Sequence, residues 1–151
     1  YKTMELGIIN KSDFPLPKYA TKGSSGMDLY CNEKGVHVLN PLDRKVISTG
    51  IYLRIPKGFE IQIRSKSGNA SKYGIIVLNE PATIDSDYTG EIKVILCNLS
   101  NSTVTINHGD GIAQMVLAKV ETAELIELKE VINNTDRGNK GFGSTGNNIN
   151  N

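Results

Sequence analysis

The sequence predicts an all-β sandwich or barrel with one short helix and a polar C-terminal arm. Three observations carry this. Apolar residues recur with period two over strand lengths, as in "EIQIRS" (60–65) and "EIKVILCN" (91–98). Turn residues return at short intervals: Pro41, Pro56-Lys57-Gly58, Thr89-Gly90 and His108-Gly109-Asp110-Gly111. Many short strands so punctuated suit a sandwich or barrel. Only "SGNASKYG" (67–74), which ends on glycine, reads as helix, about two turns long.

In chain order, "KVISTGIYLRIP" (45–56) reads as two strands, broken or bulged at Gly50. Strand 60–65 leads into the helical segment, and strand 91–98 follows a turn-rich stretch. "TVTIN" (103–107) and "IAQMVLAKV" (112–120) continue the strand pattern, and the last organised strand is expected to end near Leu128. From Asn133 the text is polar and Gly-rich with no apolar period, the mark of a pliable end. The expected organisation is a β domain over 1–132 and an arm over 133–151.

A chain of 151 residues fits one domain and is long enough for a real core. A net charge of +1 gives no broad electrostatic case for nucleic acid or membrane partners. The apolar runs are strand-length, far short of the ~20 residues of a membrane span. Cys31 and Cys97 lie in apolar stretches without metal-type spacing and are expected as buried free thiols. No signal-peptide pattern opens the sequence, so Asn-x-Ser/Thr triplets such as those at Asn69, Asn98, Asn101 and Asn133 are taken as chance and the cytoplasm as the expected location.

Five stretches carry chemistry. "SSGMDLY" (24–30) offers Asp28, which also fits an ordinary turn. "RSKSGNASK" (64–72) gathers cations, hydroxyl and glycine where a strand meets a helix start, a place where backbone N–H groups attract phosphate; a plain helix capped by Ser67 with solvated lysines fits equally. "NEPATIDSDYTGEIKV" (79–94) sets Asp85 and Asp87 at the tip of an apparent β-hairpin, with Tyr88 next, though Asp and Ser also favour simple turns. "GDGIAQMVL" (109–117) interrupts an apolar strand with Gln114, either a satisfied core amide or a ligand contact. "RGNKGFGSTG" (137–146) combines pliable glycines with Arg137, Ser144 and Thr145, which suit phosphate oxygens, and with Phe142, an aromatic platform outside any core period. A Walker-type P-loop is absent.

Taken in order and spacing, these five stretches resemble the motifs of the trimeric dUTPase family, from about Met4 to Gly146. The resemblance implies a β jelly roll, or distorted β-barrel, and a homotrimer with shared active sites. The implied reaction converts dUTP and water to dUMP and pyrophosphate, keeping uracil out of DNA and supplying dUMP for dTMP synthesis. Asp85 would match the water-activating carboxylate. Asn79, the Thr83, Ile84 and Asp85 backbone, and Lys93 would match the uracil pocket. Tyr88 would match the ring against deoxyribose that rejects a 2′-OH. Ser67 and Gly68 would match phosphate contacts of the second motif, Lys66 a substrate contact beside them, and Gln114 the substrate-binding amide of the fourth. Asp28 would match an acid that organises Mg²⁺ through water. Arg137, Gly143, Ser144 and Thr145 would match the γ-phosphate clamp, and Phe142 the ring stacked on uracil.

Three positions depart from the family's pattern. Lys66 stands where arginine is usual and loses the bidentate fork; Arg64, two residues earlier, is expected to compensate from the same strand face. Gly111 replaces an arginine, and Ala82 a common glycine. The related dCTP deaminases would share fold and trimer, but Asp85 in "TIDSDY" and the complete arm favour dUTPase.

Overall fold

The computed structural model describes residues 2–131, 134–146 and 149. The boundary expected at 132/133 and the triplet asparagine Asn133 lie outside them. Among the described residues the elements are β1 (Gly7–Asn10), β2 (Gly26–Tyr30), β3 (Val36–Leu39), β4 (Arg44–Arg54), β5 (Phe59–Arg64), α1 (Ser67–Tyr73), β6 (Ile75–Val77), β7 (Ala82–Ile84), β8 (Glu91–Asn98), β9 (Val104–Asn107) and β10 (Gly111–Lys119). Two sheets have four strands, in the orders β1-β4-β8-β6 and β2-β10-β5-β7, and β3 pairs with β9. Every pairing is antiparallel. The all-β expectation holds, with open sheets and no closed barrel among the described residues. No described helix is long and apolar enough to cross a membrane.

Period two explains which way each strand faces. Ile61 and Ile63 of β5, and Ile92, Val94 and Leu96 of β8, point inward and are buried. They join Leu29 and Met115 of the second sheet, Ile47 and Leu53 of β4, and Leu39 and Ile106 of the small sheet in one continuous core. Each such side chain contributes roughly 1.5–3 kcal/mol by leaving water. Both cysteines are buried and free, as expected. Burial pushes the Cys31 thiol above its ordinary pKa, against the opposing pull of its bond to the Glu33 carbonyl. Asn98 is wholly buried; its amide donates to the Leu39 and Ser102 carbonyls and its oxygen accepts from Ser100.

The segment read as two strands is one, β4, with a bulge at Gly50. Its register against β8 shifts between Ser48 and Tyr52. Gly50 has φ 72°, and a Cβ there would lie 2.8 Å from the backbone N and Cα of Ser12. The bulge leaves no polar group stranded: Gly50 N–H donates to the Glu91 carboxylate at 2.9 Å, and the Thr49 hydroxyl donates to the Ile92 carbonyl at 2.6 Å. Helix α1 starts one residue earlier than a Ser67 cap requires. Lys66 occupies the N-cap position with no side-chain cap, and Gly74 closes the helix in the left-handed region at φ 66°.

The strand expected to end near Leu128 is not formed. The last described strand stops at Lys119, and residues 122–131 have neither helix nor strand. Contacts divide the chain into compact units 1–121 and 122–151. Leu125, Ile126, Leu128 and Val131 are exposed, because apolar residues need a sheet edge or core to bury against and this stretch has neither.

Replacing Gly50 with Ala combines a left-handed φ with backbone overlap, and is expected to cost about 2–4 kcal/mol. Urea unfolding measures it; a variant as stable as the parent would overturn the assignment of Gly50 as a required glycine.

Candidate active site

A row of polar residues crosses the second four-stranded sheet. On the central strand β10, Gln114 stands opposite Asp28 of β2 on one side and Arg64 of β5 on the other. Directly opposed residues of an antiparallel ladder share a face. Their neighbours Leu29, Ile63 and Met115 fill the core, so Asp28, Gln114 and Arg64 project from the other face. The stretch around Asp28, which also fitted a turn, is a strand in the sheet.

Gln114 is half-buried, and its amide nitrogen donates to the Ser65 carbonyl at 3.0 Å. Its oxygen lies where a Cβ on Gly26 would overlap it, so a side chain there would have to displace the Gln114 amide. Lys66 is not a solvated cation: Nζ donates to Asp28 Oδ2 at 2.6 Å. That pair is 28% and 43% exposed, open enough to exchange partners. Ser67 and Gly68 sit exposed at the first turn of α1. Asn69 donates to the Gly111 carbonyl at 2.8 Å and ties the helix to the irregular start of β10. Arg64 shares the face of Gln114 and Asp28, the placement on which its expected compensation depends. Its guanidinium is held by Gln62 Oε1, at 2.7 Å from Nη2, and so runs back along β5.

A second group surrounds the Asp85 turn. Asn79, Thr83, Asp85, Tyr88 and Lys93 are exposed, and Ile84 is half-buried. Tyr88 N–H donates to the Asp85 carbonyl at 3.1 Å, and the phenol donates to the Glu91 carbonyl at 2.7 Å. A Cβ on Gly90 would lie 2.6 Å from that phenol oxygen. The hairpin expected here is not a ladder: β7 pairs with β5, whereas β8 pairs with β4 and β6. The chain must cross from one sheet to the other between them, so the turn stands open rather than zipped. Thr83 and Asp28 lie on strands three places apart, roughly 14 Å at ordinary strand spacing.

Two residues missed in the sequence hold these groups together. Ser65 Oγ donates to Glu80 Oε2 at 2.7 Å and its N–H donates to the other carboxylate oxygen. Ser65 Oγ also accepts from Val77 N–H at 2.9 Å. Since the Ser65 carbonyl takes Gln114, one residue joins the polar row to the segment that leads into the Asp85 turn. An acid directly before Pro81 was the available signal, but its partner lies fifteen residues away.

The arm forms consecutive tight turns. Arg137 Nε donates to the Lys140 carbonyl, Gly138 N–H to Thr135 Oγ1, and Ser144 N–H to the Gly141 carbonyl. Gly143 has φ 93° and Phe142 φ 51°. Ser144 and Thr145 are exposed, and the Phe142 ring is fully so. Among the described residues no three His, Cys, Asp or Glu side chains gather as a metal cage.

An open carboxylate turn and a polar row bearing cations and an amide stand on the antiparallel sheets of an all-β protein. The family model described as dUTPase matches residues 12–146, and the chain belongs to the dUTPase family. It is thereby an enzyme of nucleotide metabolism. A deoxyuridine 5′-triphosphate nucleotidohydrolase of Finegoldia magna is 54% identical over 95% of this chain and 99% of its own. The Staphylococcus bacteriophage 80alpha dUTPase with dUPNHPP superposes with a TM-score of 0.84 at 27% identity, over 95% of this chain and 99% of that one. A mutant dUTPase from phage phi11 of S. aureus, described with a structural Mg(II) ion, gives 0.76 at 25% identity, over 85% and 99%.

Glu80→Ala removes the acceptor of the Ser65 N–H and hydroxyl, and because both bonds are solvent-exposed it is expected to cost about 0.5–1.5 kcal/mol. Glu80→Gln keeps an acceptor and should lose clearly less. Thermal melts of both variants test this; equal losses would show that hydrogen-bond acceptance at residue 80 is not what matters.

Proposed function

We propose that the protein hydrolyses dUTP to dUMP and pyrophosphate by attack of water on the α-phosphate, with Asp85 as the general base. The observation that carries this is the family match across all five motif stretches, together with an Asp85 carboxylate that stands exposed on an open turn. A carboxylate so placed can accept a proton from water without losing a structural bond. The backbone of Thr83 and Ile84, with Asn79 and Lys93, would read the uracil edge. The Tyr88 ring, fixed by its phenol bond, would pack on deoxyribose and leave no room for a 2′-OH. The same chemistry would keep uracil out of DNA and provide dUMP for dTMP synthesis.

Phosphoryl transfer needs positioning and charge neutralisation more than covalent groups. Lys66, the Ser67 and Gly68 turn and Gln114 would hold phosphate oxygens. Mg²⁺ bound with the nucleotide would neutralise phosphate charge. The donor set fits it: Mg²⁺ keeps several waters and few carboxylates, and Asp28 offers one partly exposed carboxylate rather than a cage.

A homotrimer with shared active sites accounts for two features that a single chain leaves without purpose. One is the exposed apolar run at Leu125, Ile126, Leu128 and Val131; the other is the exposed Phe142 ring. A neighbouring chain would bury the first. The arm over 133–151 would close on a bound nucleotide, adding Arg137, Gly143, Ser144 and Thr145 to the phosphates and Phe142 to the base, with water excluded.

Pyrophosphate release measured across dUTP, dTTP, dCTP and UTP should show turnover of dUTP alone; ammonia release from dCTP would point to a deaminase instead. Asp85→Asn should reduce kcat by about 10³-fold or more with dUTP affinity nearly intact, and substantial residual turnover would remove Asp85 as the base. Truncation after residue 132 should leave a folded trimer by light scattering with almost no activity. A monomeric mass for the fully active full-length chain would overturn the shared site.

A further inference from the structure

Gly111 and Lys66 touch at the edge of the polar row. A Cβ on Gly111 would meet Lys66 Nζ at 3.4 Å, Cε at 3.5 Å and Cδ at 3.7 Å. The far end of the same lysine is bonded to Asp28 Oδ2. No left-handed φ calls for glycine at 111. The backbone has little room to yield, because Gly111 pairs with Tyr30 and its carbonyl accepts from Asn69. A methyl group at 111 would only reach van der Waals contact with the lysine. A branched or long side chain that continues past Cβ toward the lysine would occupy the space the lysine stem now fills.

We infer that Gly111 is a positioning residue: the side chain it lacks leaves the passage through which Lys66 reaches Asp28. Residues 66 and 111 therefore act as a matched pair. Gly111 touches no reacting atom and works through where it lets the ammonium sit. The kinetic consequence rests on the proposed role of Lys66 at the phosphates; the placement itself does not.

The first test is therefore independent of turnover. Native protein is treated with limiting acetic anhydride, and labelling of each lysine is read by peptide mass spectrometry. Lys66 should acetylate about threefold or more faster in Gly111→Leu than in the parent, with other lysines unchanged, and Gly111→Ala should match the parent. Asp28→Asn serves as the reference for a released Lys66. If circular dichroism shows that Gly111→Leu does not fold, Gly111→Val, whose methyls enter the same space, replaces it. Unchanged Lys66 labelling in the folded variant overturns the inference.

The second test uses dUTP with Mg²⁺. Gly111→Leu should raise KM by about five- to tenfold with kcat within about twofold, and should add nothing further in a Lys66→Met background. Fully multiplicative effects in the double variant would mean that the two residues act separately. A parent that fails to hydrolyse dUTP counts against the proposed function, while the labelling result still decides the placement.

Discussion

The register of β10 is the constraint on which the candidate site depends. A strand paired on both edges cannot shift against one neighbour without breaking its ladder with the other. Here the partners are β2 and β5, and the alternation that buries Ala113 and Met115 turns Gln114 to the opposite face. A slip of one residue would carry Gln114 into the core and Met115 out of it. Core packing thus holds Asp28, Gln114 and Arg64 abreast, although they are far apart in sequence. The apolar side of the sheet does the positioning, and the polar side inherits the result.

That arrangement explains what was and was not legible in the sequence. Strands β5 and β8 announce themselves because their buried faces alternate strictly, and Gly50 marks its bulge because the backbone there needs a left-handed φ. The helix is visible from its length and its closing Gly74. The strand nature of 26–30 is obscured by Gly26 and Asp28, whose neighbours Gln114 and Lys66 come from distant parts of the sequence. The Asp85 turn looked like a hairpin because two apolar runs flank it; that the runs join different sheets is a long-range fact. Lys66 and Arg64 stand two residues apart in the sequence. Their partners, Asp28 and Gln62, were not deducible from spacing. The run ending at Leu128 has strand composition but finds no edge within its own unit, so composition alone misjudged it.

The site residues combine firm and yielding supports. Ser65 binds Gln114, Glu80 and Val77 at once, so the base of both candidate groups is cross-braced. The chemistry-bearing ends are more open: Asp85, Ser67 and Gly68 all stand exposed. A nucleotide carries several negative charges and one flat ring, and it can supply the missing contacts to such groups. Braced strands beneath exposed contact points let the frame persist while the contacts come and go.

The irregularity at the start of β10 has a consequence for how this chain can vary. Gly111 faces Tyr30 and Ala113 faces Leu29, so Ile112 is the additional residue that brings Gln114 opposite Asp28. Substitutions that keep an apolar side chain at 112 leave the phase of the strand untouched. A single-residue deletion between Asp110 and Ala113 removes it, and the row can be restored only by a matching change of length in β2. In this stretch insertions and deletions, more than replacements, are what the protein cannot absorb.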